Sequence, residues 1–193
     1  MIDLRGVGGL VHRISRGLRR DGVEEFIRSS RHARADVVQI REPEVAAREL
    51  LEIVHAAVVL TRGTALRVVV NERADVAIAA GAHGVHLRAS GPPVGSVRAI
   101  APAGWLIGRS AHSDDEIDGA AGADYMIFGT VFSTPSKPGV DGQGLDALRR
   151  AVERFHGPVL AVGGITPANA PSVLATGAAG YAAIGSFALK PQT

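Results

Sequence analysis

Eight short runs of β-branched and apolar residues alternate with seven alanine-rich segments of helical period, and this alternation restricts the fold more than any other feature. The runs are Gly9–Ile14, Val37–Arg41, Leu66–Val70, Gly84–Leu87, Leu106–Ser110, Tyr125–Phe128, Val159–Val162 and Tyr181–Ile184. The helical segments are Gly22–Ser30, Val45–Val59, Arg73–Ala80, Val94–Ile100, Asp114–Ala121, Leu145–Arg154 and Pro167–Ala175. Strands joined by helix-length crossovers pair in parallel, since a tight hairpin reverses the chain. The pattern therefore predicts an α/β fold, one domain over residues 1–193: a (β/α)8 TIM barrel with a short or truncated last helix in Ser186–Thr193. A doubly wound open sheet is the alternative, but no GxGxxG follows the first strand, so the dinucleotide fingerprint is missing.

Several boundaries have a mechanism. Ser113 is placed to cap a helix that opens on Asp114, Asp115 and Glu116, acids set against the positive helix end. Thr166-Pro167 has the form of a cap followed by proline at the first helical position. Gly81, Gly122 and Gly177 each follow a helical segment, where a left-handed terminus suits glycine.

Composition narrows the function classes. With 46% hydrophobic residues the chain can bury a core and is no disordered polyelectrolyte. No apolar run approaches the ~20 residues of a membrane span, and the longest, Ile53–Leu60, contains His55; neither a membrane role nor a secretory leader is expected. The absence of cysteine removes disulfides and thiolate chemistry and agrees with a cytoplasmic protein. The first 34 residues hold eight arginines against four acids, but no aromatics interleave them, so a solvated helix face is expected and no nucleic-acid partner. Lys137 and Lys190 are the only lysines.

In a parallel barrel the ligand site lies beyond the carboxyl ends of the strands, and polar residues concentrate there. Thr134, Ser136 and Lys137 place two hydroxyls and an ammonium in one loop, a set suited to phosphate oxygens. Gly163-Gly164 and Gly185-Ser186, after the seventh and eighth strands, let backbone N–H groups approach an anion where many barrels hold a phosphate. The seven histidines form no metal-binding spacing. His86 and His112 end strands, and His112 shares the parity of Ser110, which makes it a candidate proton-transfer group.

Seven segments in order resemble the thiamine-phosphate synthase/TenI family: Val38–Glu42, Val70–Asp75, Gly84–Leu87, Ile107–Ser113, Ala123–Tyr125 with Phe128-Gly129, Val131–Gly139, and Val162–Pro167. The resemblance implies a TIM barrel and a role in thiamine biosynthesis, with a thiazole phosphate as small-molecule ligand and the oligomeric state left open. On the thiazole-phosphate side it assigns Thr134, Ser136, Gly164, Gly185 and Ser186. On the side of a pyrimidine pyrophosphate it assigns Gln39, Arg41, Asn71, Ser110 and Lys137.

Two activities occur in that family. The synthase joins the pyrimidine pyrophosphate to the thiazole phosphate using Mg²⁺; the TenI-type tautomerase shifts a proton on a thiazole phosphate without metal. Here Pro43 stands where the synthase pattern has a lysine, Glu72 where it has its first metal aspartate, and Gly91 near its second. The expectation is therefore a tautomerase with no cofactor, and Mg²⁺, with Glu72 as ligand, only for the synthase. The tautomerase histidine is itself replaced by Thr130, whose hydroxyl is no base near neutrality. His112, His86 or Glu42 takes over the acid–base role, with His112 ranked ahead of Glu42. A binding protein without chemistry is the third reading.

Overall fold

The computed structural model describes residues 9–134, 139 and 141–184. Strands β1 (Leu10–Ile14), β2 (Val37–Ile40), β3 (Arg67–Asn71), β4 (Gly84–Leu87), β5 (Leu106–Ala111), β6 (Tyr125–Gly129), β7 (Val159–Val162) and β8 (Gly180–Ile184) each pair in parallel with the next. The ladder Leu10↔Gly180 through Ile14↔Ile184 closes β8 onto β1. The fold is the TIM barrel that the alternation predicts. Its helices are α1 (Val23–His32), α2 (Ala47–Thr61), α3 (Ala74–Ala79), α4 (Val94–Arg98), α5 (Asp114–Asp118), α6 (Gly144–Arg154) and α7 (Ala170–Leu174). The expected last helix lies outside the described residues.

Strand parity sorts the core into two layers. Val38, Ile40, Val68, Val70, Val85, Leu87 and Ile107 face outward and join Leu50, Ile53, Val54 and Ala57 of α2 in one cluster. Met126, Phe128, Val159 and Ala161 meet Ala147, Leu148 and Ala151 of α6 in a second. Each large apolar side chain buried this way stabilises the fold by roughly 1.5–3 kcal/mol. The opposite parity fills the barrel with Ile14, Tyr125, Ile127, Leu160 and Ala182. Gly108 makes room for the bulkiest of these: a Cβ there would overlap the Tyr125 ring and sit 2.6 Å from His86 Nδ1.

Ser113 caps α5 as its position suggests, its hydroxyl accepting the Glu116 N–H at 3.3 Å. Gly81, Gly122 and Gly177 all have positive φ after α3, α5 and α7. The start of α7 differs from expectation. Residues 167–169 form a turn and the helix begins at Ala170, with Pro171 rather than Pro167 in its first turn. The cause is Asn169, whose Oδ1 accepts the Thr166 N–H at 2.8 Å and whose Nδ2 donates to the Gly164 carbonyl at 2.9 Å. That side chain offers the backbone partners that a helical turn would otherwise supply.

Candidate active site

A cavity of about 660 Å³ opens at the carboxyl ends of the strands. Its lining includes eight of the residues expected to form a site: Gln39, Arg41, Asn71, Ser110, His112, Thr130, Thr134 and Gly164. Ser136, Lys137, Gly185 and Ser186 lie outside the described residues. Glu42 and Glu72 are close by in sequence but are not among the lining residues.

Polar side chains from the barrel interior build the floor. His12 is fully buried, and burial lowers its pKa to about 4, so the imidazole is neutral at physiological pH. Its Nε2 lies 3.0 Å from Gln39 Oε1; the amide oxygen can only accept, so Nε2 carries the proton. Gln39 Nε2 in turn donates to Asn71 Oδ1 at 2.9 Å. This chain of bonds fixes both amides and leaves the Asn71 NH₂ as the donor presented to the cavity. A second chain runs from Tyr125 Oη to His86 Nδ1, 3.2 Å, and from His86 Nε2 to Ser110 Oγ, 2.9 Å. Desolvation pushes the His86 pKa well down and the Tyr125 pKa up, so both stay uncharged. The two chains meet through ring contacts of 5.5 Å and 6.0 Å from His12 to Tyr125 and His86.

The other two acid–base candidates have separate fates. Glu42 is buried with both oxygens engaged: Oε1 accepts from Ser15 Oγ at 2.6 Å and Oε2 from the Gly17 N–H at 2.7 Å. This corrects its place in the expected site, because the carboxylate holds the β1–α1 loop instead of facing the cavity. The reason is local: Ser15 and Gly17, just beyond β1, supply two donors that satisfy a buried carboxylate. His112 does line the cavity. Its Nδ1 bonds the Gly129 carbonyl, and its backbone N–H donates to Glu116 Oε2 at 2.6 Å. A carbonyl accepts only, so Nδ1 is the donor in that bond and Nε2 is the nitrogen left unengaged. Thr130 follows Gly129 and is buried in the same wall.

The β7 side is formed by backbone. Gly164 has φ +62°, and a Cβ there would lie 2.7 Å from the Ser133 carbonyl oxygen. Among the described residues, no acceptor is bonded to the Gly164 or Ile165 N–H. A side chain at Gly164 would meet a left-handed φ and tight surroundings, so a substitution there weakens the fold together with any ligand binding.

A divalent ion finds no ready donor set on the β3–β4 side. Glu72 Oε2 is paired with Arg88 Nε at 2.5 Å. A Cβ at Gly91 would sit 3.2 Å from Glu72 Oε1, so the position of the missing acid adjoins that same carboxylate. Among the described residues, no three His, Cys, Asp or Glu side chains come together in a metal-sized group. Glu72 alone makes no cage for a hard divalent cation, and an ion held here would take its remaining oxygens from water and a bound pyrophosphate. The carbonyls nearby are also occupied: buried Arg109 donates to the Ala89 and Pro92 carbonyls at 2.6 Å and to that of Gly91 at 3.3 Å.

Arg16 and Arg88 line the cavity and were not expected there. Both are exposed arginines in an arginine-rich chain, so composition hides them; their positions just after the first and fourth strands were the available signal. No described helix is long and apolar enough to cross a membrane.

The sequence profile of the thiamine monophosphate synthase family (TMP-TENI) matches residues 13–187. The chain is 44% identical over 153 residues to a thiamine-phosphate synthase of Methanoculleus marisnigri, covering 78% of this chain and 72% of that one. It is 40% identical over 174 residues to a thiamine-phosphate synthase of Methanocella arvoryzae, covering 89% and 81%. A solved structure of thiamine phosphate pyrophosphorylase from Pyrococcus furiosus superposes with a TM-score of 0.77 at 34% identity, over 91% of this chain and 85% of that one. These names reverse the expected order of the two activities: they belong to synthases, and none supports the tautomerase placed first by the loop residues.

Proposed function

The chain belongs to the thiamine monophosphate synthase family, and from that premise we propose that it is a thiamine-phosphate synthase, a transferase that joins a pyrimidine pyrophosphate to a thiazole phosphate. The bond from the pyrimidine to its pyrophosphate breaks, a bond from the pyrimidine to the thiazole forms, and pyrophosphate leaves. One observation carries this reading over a single-substrate isomerase: the cavity has two separate anion-suited walls. Arg16, Arg41 and Arg88 stand after β1, β2 and β4, while Gly163, Gly164 and Thr134 stand after β7 and β6. A cavity of about 660 Å³ falls within the size range of small-molecule sites and leaves a floor between the two walls. Two phosphorylated substrates held by opposite ends would present their reacting rings to each other, and such positioning supplies much of the acceleration of a two-substrate transfer.

In this assignment Asn71, Gln39 and Ser110 orient the pyrimidine, with the His12 and His86 chains fixing the direction of each donor. Arg41 and Lys137 take the pyrophosphate. Thr134, Ser136, Gly164, Gly185 and Ser186 take the thiazole phosphate. Glu42 is a positioning residue for the loop that carries Arg16.

Thiazole tautomerisation is the second reading, and one feature favours it. His112 lines the cavity with Nδ1 committed to the Gly129 carbonyl, which leaves Nε2 as the ring nitrogen available for proton transfer. Proton NMR of the thiazole phosphate separates the readings, with the protein and with or without the pyrimidine pyrophosphate. The synthase reading expects new thiamine phosphate resonances only when both substrates are present. Isomerisation of a carboxylated thiazole phosphate alone supports the second reading, and saturable binding with no new resonance supports a binding protein.

A further inference from the structure

We infer that the leaving pyrophosphate is held by arginine rather than by a protein-bound divalent ion, with Arg88, Arg41 and Arg16 supplying the positive charge. The inference rests on the synthase reading for its substrate, and it goes beyond that reading in naming the groups that replace the metal. Arg16, Arg41 and Arg88, which follow β1, β2 and β4, all line the cavity. Among the described residues, those of Arg16 and Arg41 have no hydrogen-bond or ion-pair partner in the protein. Arg88 has one, the Glu72 carboxylate at 2.5 Å. The only carboxylate in the described lining is Glu116, at the head of α5, and its Oε2 already accepts the His112 N–H. Glu42, at the same end of the barrel, is bonded to Ser15 and Gly17, and Glu72 is paired with Arg88, so the Arg16 and Arg41 guanidinium groups carry charge that no described carboxylate pairs, the kind of charge that concentrates polyanions.

The same residues that unfit the region for a cation equip it for an anion. Glu72, the acid at the metal position, is committed to Arg88, and Gly91 brings no second acid beside it. Arg109 donates to the Ala89, Gly91 and Pro92 carbonyls, which sets a fixed positive charge against the oxygens of that loop. Those bonds also pin the loop that follows Arg88, while Glu72, only 22% exposed, braces the guanidinium from the β3 side. An arginine positioned before the ligand arrives loses less freedom on binding, and its planar fork suits two phosphate oxygens at once. Charge that develops on the leaving group then meets a donor already held in place, the Arg88 guanidinium, in the role that a cation would fill.

Isothermal calorimetry with inorganic pyrophosphate, on the whole protein in EDTA and again in excess Mg²⁺, tests this directly. The expected result is saturable binding in EDTA that is no tighter in Mg²⁺. Arg88→Ala should weaken binding in EDTA by about tenfold or more, with Arg41→Ala as an independent second variant. Arg88 is 64% exposed, and unchanged thermal unfolding of the variant establishes that it folds. Binding that appears only when Mg²⁺ is added overturns the inference, as does unchanged affinity in both variants. A protein that binds pyrophosphate in EDTA yet forms no thiamine phosphate overturns the synthase reading and leaves the arginine site standing. A protein that forms thiamine phosphate but binds pyrophosphate only with Mg²⁺ does the reverse.

Discussion

His12 donates a buried hydrogen bond to Gln39 across the bottom of the cavity, 3.0 Å from Nε2 to Oε1, and burial of the whole ring keeps it neutral even though that bond favours the proton. Protonation would place a charge where burial already lowers the pKa to about 4. In the unfolded chain the same ring takes up its proton near 6.5. Between these values the unfolded state binds more protons, so stability rises with pH and is lost as the pH falls through that window.

Urea unfolding near neutrality and at about pH 5 should therefore show a clear loss of stability at the lower pH, which reaches about 3 kcal/mol for this group near pH 4. His86, displaced downward for the same reason, adds to the loss in the same direction. His12→Gln keeps a donor for Gln39 and should flatten the dependence. A profile equally steep in the variant contradicts the assignment.

Arg109 braces the β4–α4 loop through three carbonyls. Arg109→Leu removes charge-assisted bonds worth roughly 1.5–3 kcal/mol each at most. The expected loss is about 3 kcal/mol of stability, since a freed loop recovers part of it through water. Faster proteolytic cleavage within residues 88–92 should accompany it. A variant as stable and as protease-resistant as the parent would show that the loop stands without Arg109.

Gly164→Ala combines a left-handed φ with a Cβ 2.7 Å from the Ser133 carbonyl oxygen. Thermal unfolding and thiazole-phosphate binding should weaken together, with about 1–3 kcal/mol lost from the fold. Full stability with binding abolished would show that this glycine serves the ligand alone.

His112→Asn separates the two activities. Under the synthase reading thiamine phosphate formation falls only modestly, by less than about tenfold, because no step requires a base at Nε2. A fall of about a hundredfold or more, with both substrates still bound, assigns His112 to proton transfer instead.

Much of this architecture was legible before any coordinates. β-branched runs of four to six residues located every strand within a residue or two, because residues buried on both faces leave a continuous apolar signal. Asn71 illustrates the limit: the run Leu66–Val70 ends before it, yet it pairs with His86 inside the barrel and so joins β3. Its polar side chain, needed at the cavity floor, breaks the apolar pattern that marks a strand. The start of α7 was illegible because Asn169 bonds Gly164 and Thr166, contacts that spacing does not encode. In the site, residues at strand ends were readable from position alone, as with Ser110 and Gln39. Glu42 looked the same in sequence, and only the folded β1–α1 loop, with Ser15 and Gly17 bonded to it, turns its carboxylate away. Arg16 and Arg88 had nothing in their identity to separate them from the other exposed arginines.

Simultaneous quantitation of pyrophosphate and thiamine phosphate, in a reaction containing the purified protein and both substrates, tests the central claim most directly. Equal amounts of the two products are expected at every time point, and neither product when either substrate is left out. Isomerised thiazole with no pyrophosphate released, or both substrates bound with no product of either kind, would contradict it.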